Sequence, residues 1–242
     1  VTTLVLAAHG SRDPRFAATM ERIAGAVQHG LPGVDVRLGY LDLNSPGLDD
    51  VLGSCAGDVL VAPLLLSEAF HSKVDLPTII ARACTANREI AVRQLPTLGS
   101  DSRTVTALVS RLDQVGLRRT DGVLFTAVGS SDPAADDAVR AQAADLAAHL
   151  ATPLIQTVFA TRLGDNNSNL RHALRRLRRG GARRIVVSPY FLSAGLLTER
   201  VDAAVDHLAP GSLIAGPLGA HPALIDVVCD RYRTAVTAAV SV

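Results

Sequence analysis

Leu4-Val-Leu-Ala-Ala-His-Gly-Ser-Arg-Asp-Pro14 and Val123-Leu-Phe-Thr-Ala-Val-Gly-Ser-Ser-Asp-Pro133 are one pattern written twice. In the first, the apolar run Leu4–Ala8 suits a strand covered on both faces. Ser11 or Asp13 then supplies a helix N-cap, with Pro14 in the first turn. Phe16, Met20, Ile23 and Val27 follow at helical spacing.

The repetition extends outward. Asp58-Val-Leu-Val-Ala-Pro-Leu-Leu-Leu-Ser67 matches Arg184-Ile-Val-Val-Ser-Pro-Tyr-Phe-Leu-Ser193, and Leu98-Gly99 matches Leu218-Gly219 ahead of a helical pattern. Three matches in one order, offset by roughly 120 residues, make the chain two copies of a single unit. We expect an N-terminal lobe over 1–117 and a C-terminal lobe over 118–242. Within the first copy, Leu4–Ala8, Val34–Leu41, Val59–Leu66 and Ile90–Leu95 read as strands, with helices near Leu48–Cys55 and from Pro77. Strands alternating with helices predict an α/β fold of parallel sheets joined by right-handed crossovers. Ligands bind such sheets beyond the strands' carboxyl ends, where the loops His9–Pro14 and Ser67–Asp75 are expected to share a rim.

Composition narrows the function. Of 242 residues, 48% are hydrophobic, and 24 Lys and Arg against 23 Asp and Glu leave a formal charge of +1, so neither disorder nor general polyanion binding is expected. Tryptophan is absent, which leaves few stacking platforms for single-stranded nucleic acid. Cys55, Cys84 and Cys229 form no C-x-x-C pair and suit a reducing, cytoplasmic setting. No run reaches the roughly 20 apolar residues of a membrane span, and the N-terminal residues read as a strand rather than a signal peptide.

Two histidines carry the chemical expectation. His9 ends the first strand before Gly10-Ser11, and His71 lies in the polar loop after the third. Either alone is compatible with an ordinary role, a buried imidazole on a carbonyl or a solvated loop residue. Together on one rim they can ligate a borderline divalent metal and accept protons near neutral pH. Metal insertion into a porphyrin-like ring requires both, because two pyrrole N–H protons leave as the metal enters. Glu68 can add a carboxylate ligand or take a proton, and Ser11, Arg12 and Lys73 can bond to carboxylates on a ligand's edge. In the second copy Val128 replaces His9 and Leu197 replaces His71, so one site per chain is expected. The second copy should then cover the first, with Arg162 and Arg200 contributing to an anionic ligand's binding. The arginine-rich stretch 171–184 keeps Leu170, Leu174 and Leu177 at helical spacing and reads as a solvated face. Asp165-Asn-Asn-Ser-Asn169 lacks the glycine and terminal glutamate of an EF-hand and reads as a loop into a helix.

Ala8-His9-Gly10-Ser11-Arg12, Pro63-Leu-Leu-Leu-Ser67 and Phe70-His71-Ser-Lys73-Val-Asp75-Leu-Pro77 resemble the sirohydrochlorin chelatases, class II enzymes that insert iron or cobalt, in their two-copy form with a degenerate second half. The resemblance spans the chain. It implies two flavodoxin-like lobes with a ligand cleft between them and His9 and His71 as metal ligands and proton acceptors. It also implies Fe²⁺ or Co²⁺ as substrate rather than resident cofactor, and a place in siroheme or cobalamin synthesis. Its octacarboxylate substrate explains basic residues around an apolar cleft. The expected working form is a monomer with an internal pseudo-dimer, without nucleic-acid or membrane partners. A metal or tetrapyrrole carrier is the alternative. Glu68-Ala69-Phe70 departs from the small, glycine-rich residues of many relatives and bears on metal preference.

Overall fold

The structure, a computed structural model, describes residues 2–67, 74–150 and 154–240. In the first copy β1 (Thr3–Ala8), α1 (Pro14–Gly30), β2 (Val36–Tyr40), α2 (Leu48–Gly53), β3 (Gly57–Pro63), α3 (Leu76–Ala86), β4 (Ile90–Gln94) and α4 (Arg103–Gln114) alternate. The second repeats the order with β5 (Asp121–Ala127), α5 (Pro133–His149), β6 (Ile155–Phe159), α6 (Ser168–Arg179), β7 (Arg184–Pro189), α7 (Leu196–Leu208), β8 (Leu213–Ile214) and α8 (Pro222–Val240). Two four-stranded parallel sheets result, ordered β2-β1-β3-β4 and β6-β5-β7-β8.

Every residue of the central strands β1 and β5 is buried. Side chains alternate across a pleated strand. Val5, Ala7, Val59 and Val61 share one face with Leu48, Val51, Leu52 and Leu76 of α2 and α3. Leu4, Leu6 and Leu60 are equally buried on the other face, so the first sheet is covered on both sides, as its continuous apolar runs predict. The third strand ends earlier than the sequence suggests. Pro63 closes β3, and only the Leu64 N–H continues the ladder, donating to the Ala7 carbonyl at 2.8 Å.

The compact units do not follow the division at 117/118. One comprises residues 1–103 with 220–242, the other 104–219. Helix α8 packs on α1, while its Tyr232 hydroxyl donates to the Thr2 carbonyl at 2.8 Å and Arg231 donates to the Pro96 and Thr97 carbonyls at 2.8 Å. Its Asp230 pairs with Arg103 at 2.6 Å. Helix α4 joins the second sheet's unit, where Thr104 donates to the Gln142 side chain at 3.2 Å and Arg111 to the Leu218 carbonyl at 2.9 Å. The last helix of each sequence copy therefore belongs to the compact unit built around the other.

In both copies the helix after the first strand is started by Asp-Pro. Asp13 Oδ1 accepts from the Arg15 N–H at 3.0 Å, and Asp132 Oδ1 accepts from Ala134 at the same distance. The side chain of Arg15 also holds Asp13 ionised, lowering its pKa from 3.8 to about 2. Because the folded value lies below the ordinary one, this stabilisation is fully present above pH 4 and is lost as pH falls toward 2. Asp13→Asn, which caps without titrating, is expected to flatten the acid limb of a thermal-stability profile over that window. An unchanged limb would remove Asp13 as its source.

Helix α6 buries Leu170, Ala173, Leu174 and Leu177 and leaves Arg171, Arg175, Arg176, Arg178 and Arg179 exposed, the solvated face expected. Arg184 differs, pairing at 2.6 Å with the buried Asp121. Asn166 and Asn167 take left-handed φ of 49° and 59° in the loop entering α6. Among the described residues no helix is long and apolar enough to cross a membrane.

Candidate active site

His9 is the first residue beyond β1, at the carboxyl end of the central strand, and is half-buried. Its Nδ1 lies 3.1 Å from the Gly10 carbonyl. A carbonyl only accepts, so this contact is a hydrogen bond in the Nδ1-protonated tautomer, which puts the basic lone pair on Nε2. The parallel pairing Ala7↔Pro63 ends β1 and β3 side by side, so the loops after His9 and after Leu64 leave the sheet at one end. His71, Glu68 and Lys73 lie outside the described residues.

The His9 loop is fixed from a direction that motif reading did not anticipate, the segment Leu41–Asn44 after β2. The Asp42 N–H donates to the His9 carbonyl at 3.0 Å, and the Ser11 N–H donates to the Asn44 side-chain oxygen at 2.7 Å. Gly10 has φ of 111°, and a Cβ built on it would sit 1.8 Å from the Asp42 carbonyl oxygen. Only glycine fits there. The Asp13 N–H donates to the Ser11 hydroxyl oxygen at 3.1 Å, which still leaves the hydroxyl proton to donate, while Arg12 is exposed.

Leu43 stands out in this second loop. It has φ of 62° and is 49% exposed. The other non-glycine residues with positive φ among those described are Asn166 and Asn167, a residue type that tolerates it, whereas a leucine there costs roughly 1–2 kcal/mol. Its N–H donates to the Asp42 side chain at 2.8 Å, and the Asn44 N–H spans it to the Asp42 carbonyl at 2.7 Å, a strained, seldom-used form of γ-turn. No sequence signature marks a left-handed leucine; the Asn44-Ser-Pro46 turn residues at a strand's carboxyl end were the available hint.

The second copy keeps this scaffold without the imidazole. The Thr161 N–H donates to the Val128 carbonyl at 3.1 Å, Gly129 has φ of 90°, and the Asp132 N–H donates to the Ser130 hydroxyl at 3.0 Å. Arg162, expected to meet an anionic ligand, is already engaged. It pairs with the buried Asp136, donates to the Ser130 carbonyl at 3.0 Å and lies 4.8 Å over the Phe159 ring. Arg200 is exposed on α7. Leu197 is partly buried against the second core, but Val128 is 45% exposed. Leu197→Ala should therefore cost about 1–2 kcal/mol of stability and Val128→Ala less than about 0.5 kcal/mol. Urea unfolding of the two variants checks this ordering, and equal losses would contradict it.

Among the described residues no three His, Cys, Asp or Glu side chains are gathered as a metal-holding group. A sirohydrochlorin ferrochelatase of Priestia megaterium is 26% identical over 204 residues, 81% of this chain and 76% of the relative. A sirohydrochlorin cobaltochelatase of the same organism is 26% identical over 248 residues, 95% and 78% of the two. The structure of SirB from Bacillus subtilis with Fe³⁺ superimposes with a TM-score of 0.82 at 23% identity, covering 96% of this chain and 94% of that one, a likeness of fold. The CbiX family model matches twice, over residues 3–115 and 122–235, once for each copy of the repeat. With both copies matched over nearly their full length, the chain belongs to the CbiX family.

Proposed function

We propose that this chain is a sirohydrochlorin chelatase, inserting Fe²⁺ or Co²⁺ into the macrocycle with release of two protons. The observation that carries the reading is the position of His9. It stands at the carboxyl end of a central strand whose neighbour, β3, ends beside it at Pro63, eight residues before His71 in sequence. Family membership and relatives named for iron and for cobalt support it.

In this account His9 and His71 bind the entering cation. A divalent metal replaces two N–H protons, so charge balances, and each imidazole lone pair, released as the cation passes to the ring, can accept one of them. Glu68 offers a further ligand or proton acceptor. Ser11, Arg12 and Lys73 meet the carboxylates at the ring's edge, Arg12 with its exposed guanidinium. The metal is substrate, and no permanent cofactor takes part. Two histidines do not impose one metal, since affinities alone follow the Irving–Williams order. We place the reaction in the cytoplasm with a single chain as the working unit, and the unpaired Cys55, Cys84 and Cys229 support a reducing setting.

Anaerobic absorbance spectroscopy with Fe²⁺, Co²⁺ and Ni²⁺ tests the proposal. Many turnovers of sirohydrochlorin per chain, faster than the spontaneous reaction, are expected. A shift that stops at one equivalent would replace the chelatase with a carrier.

A further inference from the structure

We infer that Leu43 is a binding residue for the apolar face of the tetrapyrrole, held out beside His9 by the loop that follows β2. The inference rests on the chelatase reading, and it comes from a side chain that the fold displays at a cost and without a return of its own. Leu43 is half exposed on a left-handed backbone, and it is the backbone that is unfavourable for a leucine. Strain of this kind persists where surrounding contacts over-determine it, and it concentrates at ligand sites. Here Asp42 fixes the turn from both its carbonyl and its carboxylate, while Asp42 and Asn44 tie the turn to His9 and Ser11. The leucine is thereby attached to the same backbone bonds that position the imidazole.

The repeat provides an internal comparison. The bond from the Asp42 N–H to the His9 carbonyl recurs from Thr161 to Val128, so Arg162 occupies the place of Leu43 in the second copy. Arg162 is folded onto Asp136 and Phe159 and has no left-handed backbone. A displayed apolar side chain at this position thus accompanies the histidine and is absent where the histidine is absent. A planar macrocycle with a hydrocarbon face and carboxylates on its edge is the ligand that covers such a side chain while leaving the metal to His9.

Leu43→Gly is the informative variant, because it deletes the side chain and relieves the backbone together. If Leu43 were only structural, the glycine variant would unfold at the same or a higher temperature and bind as before. We expect the same or higher thermal stability with an affinity for metal-free sirohydrochlorin, read by absorbance titration, weaker by about ten-fold. KM should rise in parallel, kcat should change far less, Co²⁺ affinity should hold, and Leu43→Met should restore binding. Unchanged binding in Leu43→Gly would overturn the inference even if the chain metallates normally. Weakened binding in a chain that never turns over would uphold Leu43 and defeat the chelatase reading instead. A wild-type chain that does not bind the macrocycle defeats both.

Discussion

His9→Ala is expected to lower the rate of sirohydrochlorin metallation by about two to four orders of magnitude, toward the spontaneous reaction, with the fold intact. The side chain sits half-buried at a rim rather than in a core, so its loss opens no apolar cavity. The bond that ties its loop, from the Asp42 N–H to the His9 carbonyl, belongs to the backbone and survives the substitution, which removes the side chain's 3.1 Å contact with the neighbouring Gly10 carbonyl. What disappears is a metal ligand and a base. His71→Ala should act alike, and the double variant should be little slower than either single one, because residues acting on one ion as a unit are not additive. Anaerobic rates and urea unfolding of the same preparations separate chemistry from stability. Wild-type rates in both single variants would defeat the mechanism.

Gly10→Ala should have the largest effect on the protein itself. The added carbon would lie 1.8 Å from the Asp42 carbonyl oxygen at a φ of 111°, so neither a rotamer change nor a small shift accommodates it. The two loops must separate, at a cost of at least about 2 kcal/mol. Separation also moves His9, Ser11 and Leu43, so activity should fall by more than the folded fraction explains. Gly129→Ala is the matched comparison. Its Cβ would meet Thr161 Oγ1 at 2.7 Å, which a rotamer change can move, and the Phe159 Cβ at 2.8 Å, which moves only with its backbone, an overlap much shallower than the 1.8 Å at Gly10. It should destabilise less and leave no deficit beyond unfolding. Urea midpoints and rates for the two variants measure the contrast, and equal midpoints would remove the Asp42 contact as its cause.

The local architecture was legible because each signal was local. An apolar run followed by Asp-Pro specifies β1, its turn and the cap of α1 without reference to the rest of the chain, and the repeat states the same instruction again at β5 and α5. Helix exchange was not legible. The repeat marks where each copy ends in sequence, whereas α8 is placed by Tyr232 on Thr2 and Arg231 on Pro96, bonds spanning more than 130 residues. Arg162 carries a charge that sequence reading directs outward to a ligand. Its neutralising partner, Asp136, stands on the preceding helix, and a one-dimensional reading cannot pair them. Leu43 escaped notice for a different reason, since its significance lies in a dihedral angle and an exposure rather than in residue type.

A Co²⁺-loaded crystal examined by anomalous diffraction addresses the core of the account, that two residues 62 positions apart serve one ion. The account predicts a single cobalt about 2 Å from one ring nitrogen of His9 and one of His71. Cobalt bound elsewhere, or held by His9 with His71 out of reach, would contradict it.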